Sequence, residues 1–337
     1  MTKNQRIQSF EKLGTYLLSD ESEISALLTI VAVKNPWYTP ENVRRQFQAI
    51  AQNLTATKLN EWTTNVTDEE SDKTVALVLA GNIPLVGFHD ILCVLISGFN
   101  VQIKPSSDDA GLTAWLLQTL IDIEPAFAAK IKIVERLEAH DLIIATGSNN
   151  SARYFDYYFG KKPHIIRKNR NSVAVITGNE TVEELAQLGH DIFDYFGLGC
   201  RSVSKFFIPA NYDIARFYES IEGFKAIIQH HKYVNNYDYN KSIMLINGDV
   251  HFDNGFLLLK EDDRWASPLA VVHFSRYEDL AVVKTKINAD QENIQCVVSS
   301  ENLHISAPNF RFGDSQCPAL DDYADGVDVL AFLSENR

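Results

Sequence analysis

Residues 74–84, TVALVLAGNIP, are where this chain changes character. An uncharged, mostly apolar run from Thr74 to Ala80 ends in Gly81, Asn82 and Pro84, the length and punctuation of a buried strand entering a loop. Membrane insertion needs about 20 apolar residues. This run is broken by Asn82 and Pro84 and followed by His89 and Asp90, so a buried strand explains it better than a span. Towards the C-terminus the pattern recurs. Runs of strand length at 74–80, 100–104, 131–135, 141–145 and 172–177 alternate with helix-length segments at roughly 86–98, 108–122, 149–158 and 180–196. Such alternation predicts an α/β chain of parallel βαβ units in a doubly wound sheet. Towards the N-terminus, Ile7, Phe10, Leu13 and Leu17 recur at helical spacing. Thr39-Pro40-Glu41 supplies a cap, a first-turn proline and a first-turn acid, so the first 65 or so residues read as packing helices.

After Cys200 a second alternating stretch follows: a strand at 205–208, a long amphipathic helix from about Asp213, and strands at 242–246, 269–274 and 294–299. The expected organisation is therefore two doubly wound domains. Residues 1–177 hold the N-terminal helices and one α/β domain, 178–310 a second α/β domain that carries Cys200, and 311–337 an Asp-rich closing segment with one helix. No flexible Gly/Ser linker separates them, which predicts packed domains with the active site in a cleft between them.

The 337 residues carry 31 basic and 44 acidic side chains, a net charge of −13, which argues against a dedicated nucleic-acid binder. The N-terminal MTKNQRIQSF lacks the apolar core of a secretory signal. Cys93, Cys200, Cys296 and Cys317 are too widely spaced for a zinc site or a small disulfide scaffold, so reduced thiols in a bacterial-type cytoplasm are expected. His89, His190 and His273 show no metal-ligand spacing and read as structural. Neither a P-loop nor a G-x-G-x-x-G is present.

Ligands of doubly wound sheets sit beyond the carboxyl ends of strands, which directs attention to three loops. Asn82 offers a side-chain N–H to a developing oxyanion, Lys104 in Lys104-Pro105-Ser106-Ser107 a cation, and Gly147-Ser148 backbone N–H groups at a helix start. Each residue taken singly is equally a turn former or a solvated strand end. Cys200, in Gly197-Leu198-Gly199-Cys200-Arg201, has glycines that admit a ligand and cations at Arg201 and Lys205 that favour a thiolate; the competing reading is a small buried hydrophobe. Cys93 and Cys296 read as core. The basic cluster Lys161, Lys162, Arg167, Lys168 and Arg170 reads either as solvated surface or as contact to a phosphate-bearing ligand.

Taken together, these loops resemble the aldehyde dehydrogenase superfamily, and within it the LuxC-like acyl-CoA reductases. Asn82-Ile83-Pro84 is similar to the superfamily's Asn-Phe-Pro, whose Asn helps form the oxyanion hole. Lys104-Pro105-Ser106 matches its Lys-Pro-Ser, where the Lys contacts the adenosine ribose. Gly147-Ser148-Asn149-Asn150-Ser151-Ala152-Arg153 aligns on Gly-Ser-Thr-Glu-x-Gly-Arg, the turn under the dinucleotide phosphates. Gly197-Leu198-Gly199-Cys200 resembles Gly-Gln-x-Cys, which makes Cys200 the nucleophile, and Pro268 falls at the end of Glu-Ile-Phe-Gly-Pro. The resemblance runs from Thr74 to Arg276.

Three acids of that pattern are missing. The Glu that activates water for hydrolysis falls on Ile165 to Arg170, where no acid occurs. A thioester can still be formed and reduced without water, so the resemblance implies acyl-CoA reduction rather than carboxylic acid release. The acid that NAD-preferring members place three residues after the Lys is Ser107 here, which removes repulsion of a 2′-phosphate and implies NADPH. The Glu of Glu-Ile-Phe-Gly-Pro is Arg264. The resemblance therefore implies an NADPH-dependent reductase that forms a fatty aldehyde through a Cys200 acyl-enzyme. Asn82 stabilises the oxyanion, and Lys104, Ser106, Ser107, Gly147 and Ser148 bind the cofactor. It also implies coenzyme A as part of the substrate, an acyl-donating partner protein as an alternative source, and a homodimer. The rivals are an aldehyde-oxidising dehydrogenase and a non-catalytic member of the fold.

Overall fold

Thr39 and Pro40 do what the sequence asks of them: the Thr39 hydroxyl accepts from the Asn42 N–H at 3.2 Å and the proline opens a helix. In a computed structural model, which describes residues 1–337 apart from the side chains of Asn149 and Asp156, the chain divides into two units. One comprises Met1–Asn169 and Ala319–Arg337, the other Arg170–Pro318.

The first unit begins with helices α1 (Lys3–Leu17), α2 (Ser22–Lys34), α3 (Pro40–Asn53) and α4 (Ala56–Trp62). There follow β1 (Thr74–Val78), α5 (Phe88–Ile96), β2 (Asn100–Lys104), α6 (Leu112–Ile123), β3 (Ile131–Ile133), β4 (Leu142–Thr146), α7 (Asn149–Phe159) and β5 (His164–Arg167). The strands form a parallel sheet of order β3-β2-β1-β4-β5. The chain winds outward from β1 through β2 to β3, then returns to β4 on the other side of β1. The carboxyl ends of β1 and β4 thus flank a topological switch point, the usual ligand position in such sheets. Ile7, Phe10, Leu13 and Leu17 share one core with Val75, Leu77 and the apolar face of α5, which confirms the packing role read from their spacing.

The second unit holds β6 (Asn171–Val175), α8 (Val182–Phe193), β7 (Val203–Pro209), α9 (Ile214–Ser220), α10 (His231–Asn247), β8 (His251–Asp253), β9 (Leu258–Glu261), β10 (Val271–Tyr277), α11 (Leu280–Ala289), β11 (Ile294–Ser299) and β12 (Asn309–Phe310). Its sheet runs β12-β11-β6-β7-β10-β9-β8, parallel except for β8 against β9. The final helix α12 (Val329–Glu335) belongs to the first unit.

Four expectations need revision. The domain boundary falls at 169/170 rather than 177, because β6 pairs with β7 and β11 and so belongs to the second sheet. The closing segment is split at 318/319 and its last part packs with the first unit, Val329 and Leu333 joining that core. The strand expected at 242–246 lies inside α10; of those five residues only Met244 is buried, and Gly248 closes the helix at φ 69°. A short apolar run does not by itself distinguish the two states. The long helix from Asp213 is broken into α9, a 3-10 stretch at Glu222–Gln229 and α10. The edge strand β5 lies inside the basic cluster, whose charges hid it.

Candidate active site

The candidate residues fall into two groups, one in each unit. In the first, Asn82 is exposed in the loop leaving β1, and Tyr38, from the link between α2 and α3, holds that loop. Its buried hydroxyl lies 2.8 Å from the Gly81 carbonyl and 3.1 Å from the Ile83 carbonyl, the acceptors on either side of Asn82. Burial pushes the Tyr38 phenol well above its ordinary value, so it remains a donor throughout the working range. Gly81 is required by close approach: a Cβ there would meet the Ser106 Cβ at 2.6 Å. The loops after β1 and β2 are therefore in contact, with Lys104 half-buried at the end of β2 and Ser106 accepting from the Asp108 N–H at 3.2 Å. Ser107 opens the 3-10 turn that follows and is exposed.

Beyond β4, the Ser148 hydroxyl accepts from the Ser151 N–H at 3.2 Å and so caps α7. The Gly147 N–H is engaged by the Arg167 carbonyl at 3.3 Å, so of the two backbone donors expected here this one already serves β5. Asn82, Lys104, Ser106, Ser107, Gly147 and Ser148 thus all lie at the carboxyl ends of β1, β2 and β4. This edge is suited to a phosphate-bearing ligand.

The basic cluster does not form one surface. Arg167 is buried and binds Asp90 of α5 bidentately, at 2.5 and 2.9 Å. The Asp90 carboxylate holds the Arg167 guanidinium above its ordinary value despite burial. Asp90 is thus committed to an ion pair against the stretch where the superfamily's hydrolytic Glu was sought. Lys162 donates to the His140 carbonyl, and Arg170 approaches the Gln291 and Ile294 carbonyls at 3.5 and 3.4 Å.

In the second unit, Cys200 occupies a turn before β7. Cys200 is exposed, whereas Cys93 and Cys296 are buried, as their sequence contexts predicted. Burial pushes the Cys296 thiol up to about 11 and raises Cys93 as well, which leaves both inert. Three successive residues before the turn, Tyr195, Phe196 and Gly197, have φ of 53°, 60° and 77°. Left-handed backbone at two buried aromatics persists only where the surroundings impose it. The turn closes through Ser202: its N–H donates to the Gly199 carbonyl at 3.0 Å and its hydroxyl accepts from the Gly199 N–H at 3.2 Å. The Ser172 hydroxyl of β6 donates to the Cys200 carbonyl at 2.9 Å. Beside it the register shifts, Ser172 facing Val203 and Val173 facing Lys205, so Ser204 is the extra residue of a bulge.

Arg201 lies 5.3 Å from the centre of the Phe310 ring. Lys205 is fully buried and donates to the Asp262 carbonyl and, at 2.5 Å, to Ser275. Arg264 is exposed and paired with Asp262 at 2.6 Å. Sequence reasoning missed Tyr38 and Ser172, which carry no local motif and gain their roles only through partners far along the chain. His89, His190 and His273 make ordinary contacts with Leu320, Asp194 and Arg264.

Residues 56–221 match the family model described as Acyl-CoA reductase (LuxC). Among curated proteins no sequence matches the chain. Of solved structures, aldehyde dehydrogenase 21 from Physcomitrella patens, in complex with the product succinate, superposes with a TM-score of 0.68 at 15% identity, covering 100% of this chain and 84% of that one. An NAD-dependent benzaldehyde dehydrogenase from Corynebacterium glutamicum gives 0.70 at 13% identity, over 93% and 83%. An NADP-dependent enzyme from E. coli gives 0.67 at 13%, over 90% and 74%. At these identities the likeness is one of fold. No helix among the described residues is long and apolar enough to cross a membrane. Residues 56–221 thus match the LuxC acyl-CoA reductase family model, and the chain as a whole has the fold of the aldehyde dehydrogenases.

Proposed function

We propose that the protein reduces acyl thioesters of coenzyme A to aldehydes through an acyl-enzyme on Cys200. The observation that carries this reading is the exposed Cys200 on a turn fixed from both sides, by Ser172 through the Cys200 carbonyl and by Ser202 across the turn. The Cys200 thiolate attacks the thioester carbonyl, and the Asn82 amide and the Cys200 N–H hold the oxyanion. The C–S bond to coenzyme A then breaks and the departing thiolate takes a proton. Each oxyanion donor contributes about 3 kcal/mol. When bound, a nicotinamide cofactor would supply the hydride that the acyl carbon needs; Cys200 would hold the acyl group until then and its sulfur would leave as thiolate, releasing the aldehyde. Residues 165–170 hold no carboxylate, and Asp90, which meets Arg167 there, is engaged in that ion pair, which supports reduction over hydrolysis.

The first unit's residues fit a dinucleotide. Lys104 and Ser106 would hold the adenosine ribose and Ser148 the phosphates, with Gly147, whose N–H serves the Arg167 carbonyl, shaping the turn; the exposed Ser107 in place of an acid supports NADPH as the donor. In this reading the enzyme is cytoplasmic and dimeric, and draws its acyl group from coenzyme A or from an acyl-donating protein.

The test is intact-protein mass spectrometry after incubation with medium- and long-chain acyl-CoA, followed by NADPH or NADH. The expected result is an acyl increment on the Cys200 peptide that disappears with aldehyde release, faster with NADPH, and that is absent in Cys200→Ala. Carboxylate release from aldehyde without coenzyme A would point to the oxidising reading. An inert Cys200 across all donors would point to the non-catalytic one.

A further inference from the structure

Residues 310–316, which lead out of β12, meet the Cys200 turn at two consecutive positions. The Arg201 guanidinium sits over the Phe310 ring, and the Gln316 side-chain amide donates to the Ser202 hydroxyl at 3.4 Å. Ser202 is the residue that closes the turn, since its hydroxyl also accepts from the Gly199 N–H at 3.2 Å. A hydroxyl has two acceptor lone pairs, so these two donors engage both and fix the Ser202 rotamer. Cys200 lies between the two residues joined in this way. Gln316 and Ser202 are both buried, so a bond lost here is not replaced by bulk water.

The segment itself is held from α8. The Asp191 carboxylate, with 0% exposure, accepts from the Gly313 N–H at 2.7 Å, the Ser315 N–H at 3.1 Å and the Ser315 hydroxyl at 2.6 Å. At Gly313 the backbone has φ 89° and a Cβ would meet the Gln187 side-chain oxygen at 2.9 Å, so the segment lies directly against α8. Its start is fixed separately, by the pairing of Phe310 with Val298 of β11. Three donors on one buried carboxylate set the backbone immediately before Gln316. We propose that Gln316 is a positioning residue for Cys200, itself placed by Asp191 through residues 313–315, and that it holds the turn in the orientation from which the Cys200 sulfur attacks an acyl carbonyl. This rests on the acyl-CoA reductase reading. It adds a support from the closing part of the second unit to the one that Ser172 gives the Cys200 carbonyl.

The experiment compares two reactions of the same sulfur. Gln316→Met keeps the length of the side chain and removes its donor, and Asp191→Asn keeps the shape but turns an amide N–H towards one of the three donors. Acylation by acyl-CoA is followed by mass in wild type, both variants and their pair. Each is also alkylated with iodoacetamide, the labelled cysteines being identified by peptide mass. Iodoacetamide needs only an accessible thiolate, whereas acylation also needs the sulfur aimed at a carbonyl held by oxyanion donors. Both variants are expected to slow acylation about 5–30-fold while Cys200 alkylation stays within about twofold of wild type and buried Cys296 stays unlabelled. The pair should be no slower than the slower single variant, because both act through one segment. Acylation within about twofold of wild type in either variant, or effects that multiply in the pair, overturns the proposal. Equal slowing of acylation and alkylation, or labelling of Cys296, marks a general loosening of the unit and overturns it too. If Asp191→Asn does not fold, Gln316→Met decides alone. A wild-type enzyme that is alkylated at Cys200 but never acylated overturns the reductase reading itself, and the proposal with it.

Discussion

Replacing Tyr38 by Phe removes one oxygen atom and tests whether the loop carrying Asn82 is held from outside. The Tyr38 hydroxyl lies 2.8 Å from the Gly81 carbonyl and 3.1 Å from the Ile83 carbonyl in a buried setting. Leaving a buried carbonyl without its donor costs about 1–3 kcal/mol, so the folded state should lose roughly that much in a urea titration. The kinetic effect follows from Asn82. If its amide is an oxyanion donor, Asn82→Ala should slow acylation about 10²–10³-fold. A loop displaced by a fraction of an ångström forfeits part of that contribution, so Tyr38→Phe should slow acylation about 3–30-fold. The assay is the rate of acyl-enzyme formation from acyl-CoA without cofactor, in both single variants and in the pair. Because Tyr38 acts through Asn82, the double variant should be no slower than Asn82→Ala. Multiplying effects in the double variant, or a fully active Tyr38→Phe beside a crippled Asn82→Ala, would refute the reasoning.

Arg167→Ala strands Asp90 as a buried, unpaired carboxylate and should cost about 3–5 kcal/mol in denaturant unfolding, whereas Arg167→Met with Asp90→Asn should recover most of the loss. Gly81→Ala forces apart the loops after β1 and β2, since its Cβ would sit 2.6 Å from that of Ser106; a loss of about 1–3 kcal/mol and weaker cofactor binding by calorimetry are expected. Asp191 accepts from Gly313 and Ser315, yet burial pushes its carboxyl up to about 6. Its folded pKa lies above the unfolded value, so the stability it adds is complete below about pH 4 and lost as pH rises through 6. Melting temperatures of Asp191→Asn across pH 4–7 should lack that decline.

Much of the first unit was legible because its signals are local. Strand β1 and its glycine-ended loop, the Thr39 cap and the α1 stripe depend on residues a few positions apart, and the structure retains them. The strand expected at 242–246 failed for the same reason. An apolar tetrapeptide, Ile243 to Ile246, carries no period long enough to choose between states, and its position in α10 is set by the helix continuing from His231 to the Gly248 cap. Strand β5 was concealed by Arg167, whose charge is tolerated inside only because Asp90, 77 residues earlier, meets it.

The order of the motifs, the one cysteine preceded by two nearby glycines and the missing acids were determined by the sequence alone, and they sufficed to indicate a chemistry. Only the tertiary structure decided which groups hold those motifs in place: Tyr38 around Asn82, Ser172 behind Cys200 and Asp90 on Arg167. These partners come from distant parts of the chain. A buried polar group must find a hydrogen-bond partner in space, and no spacing along one strand or helix records where that partner will be.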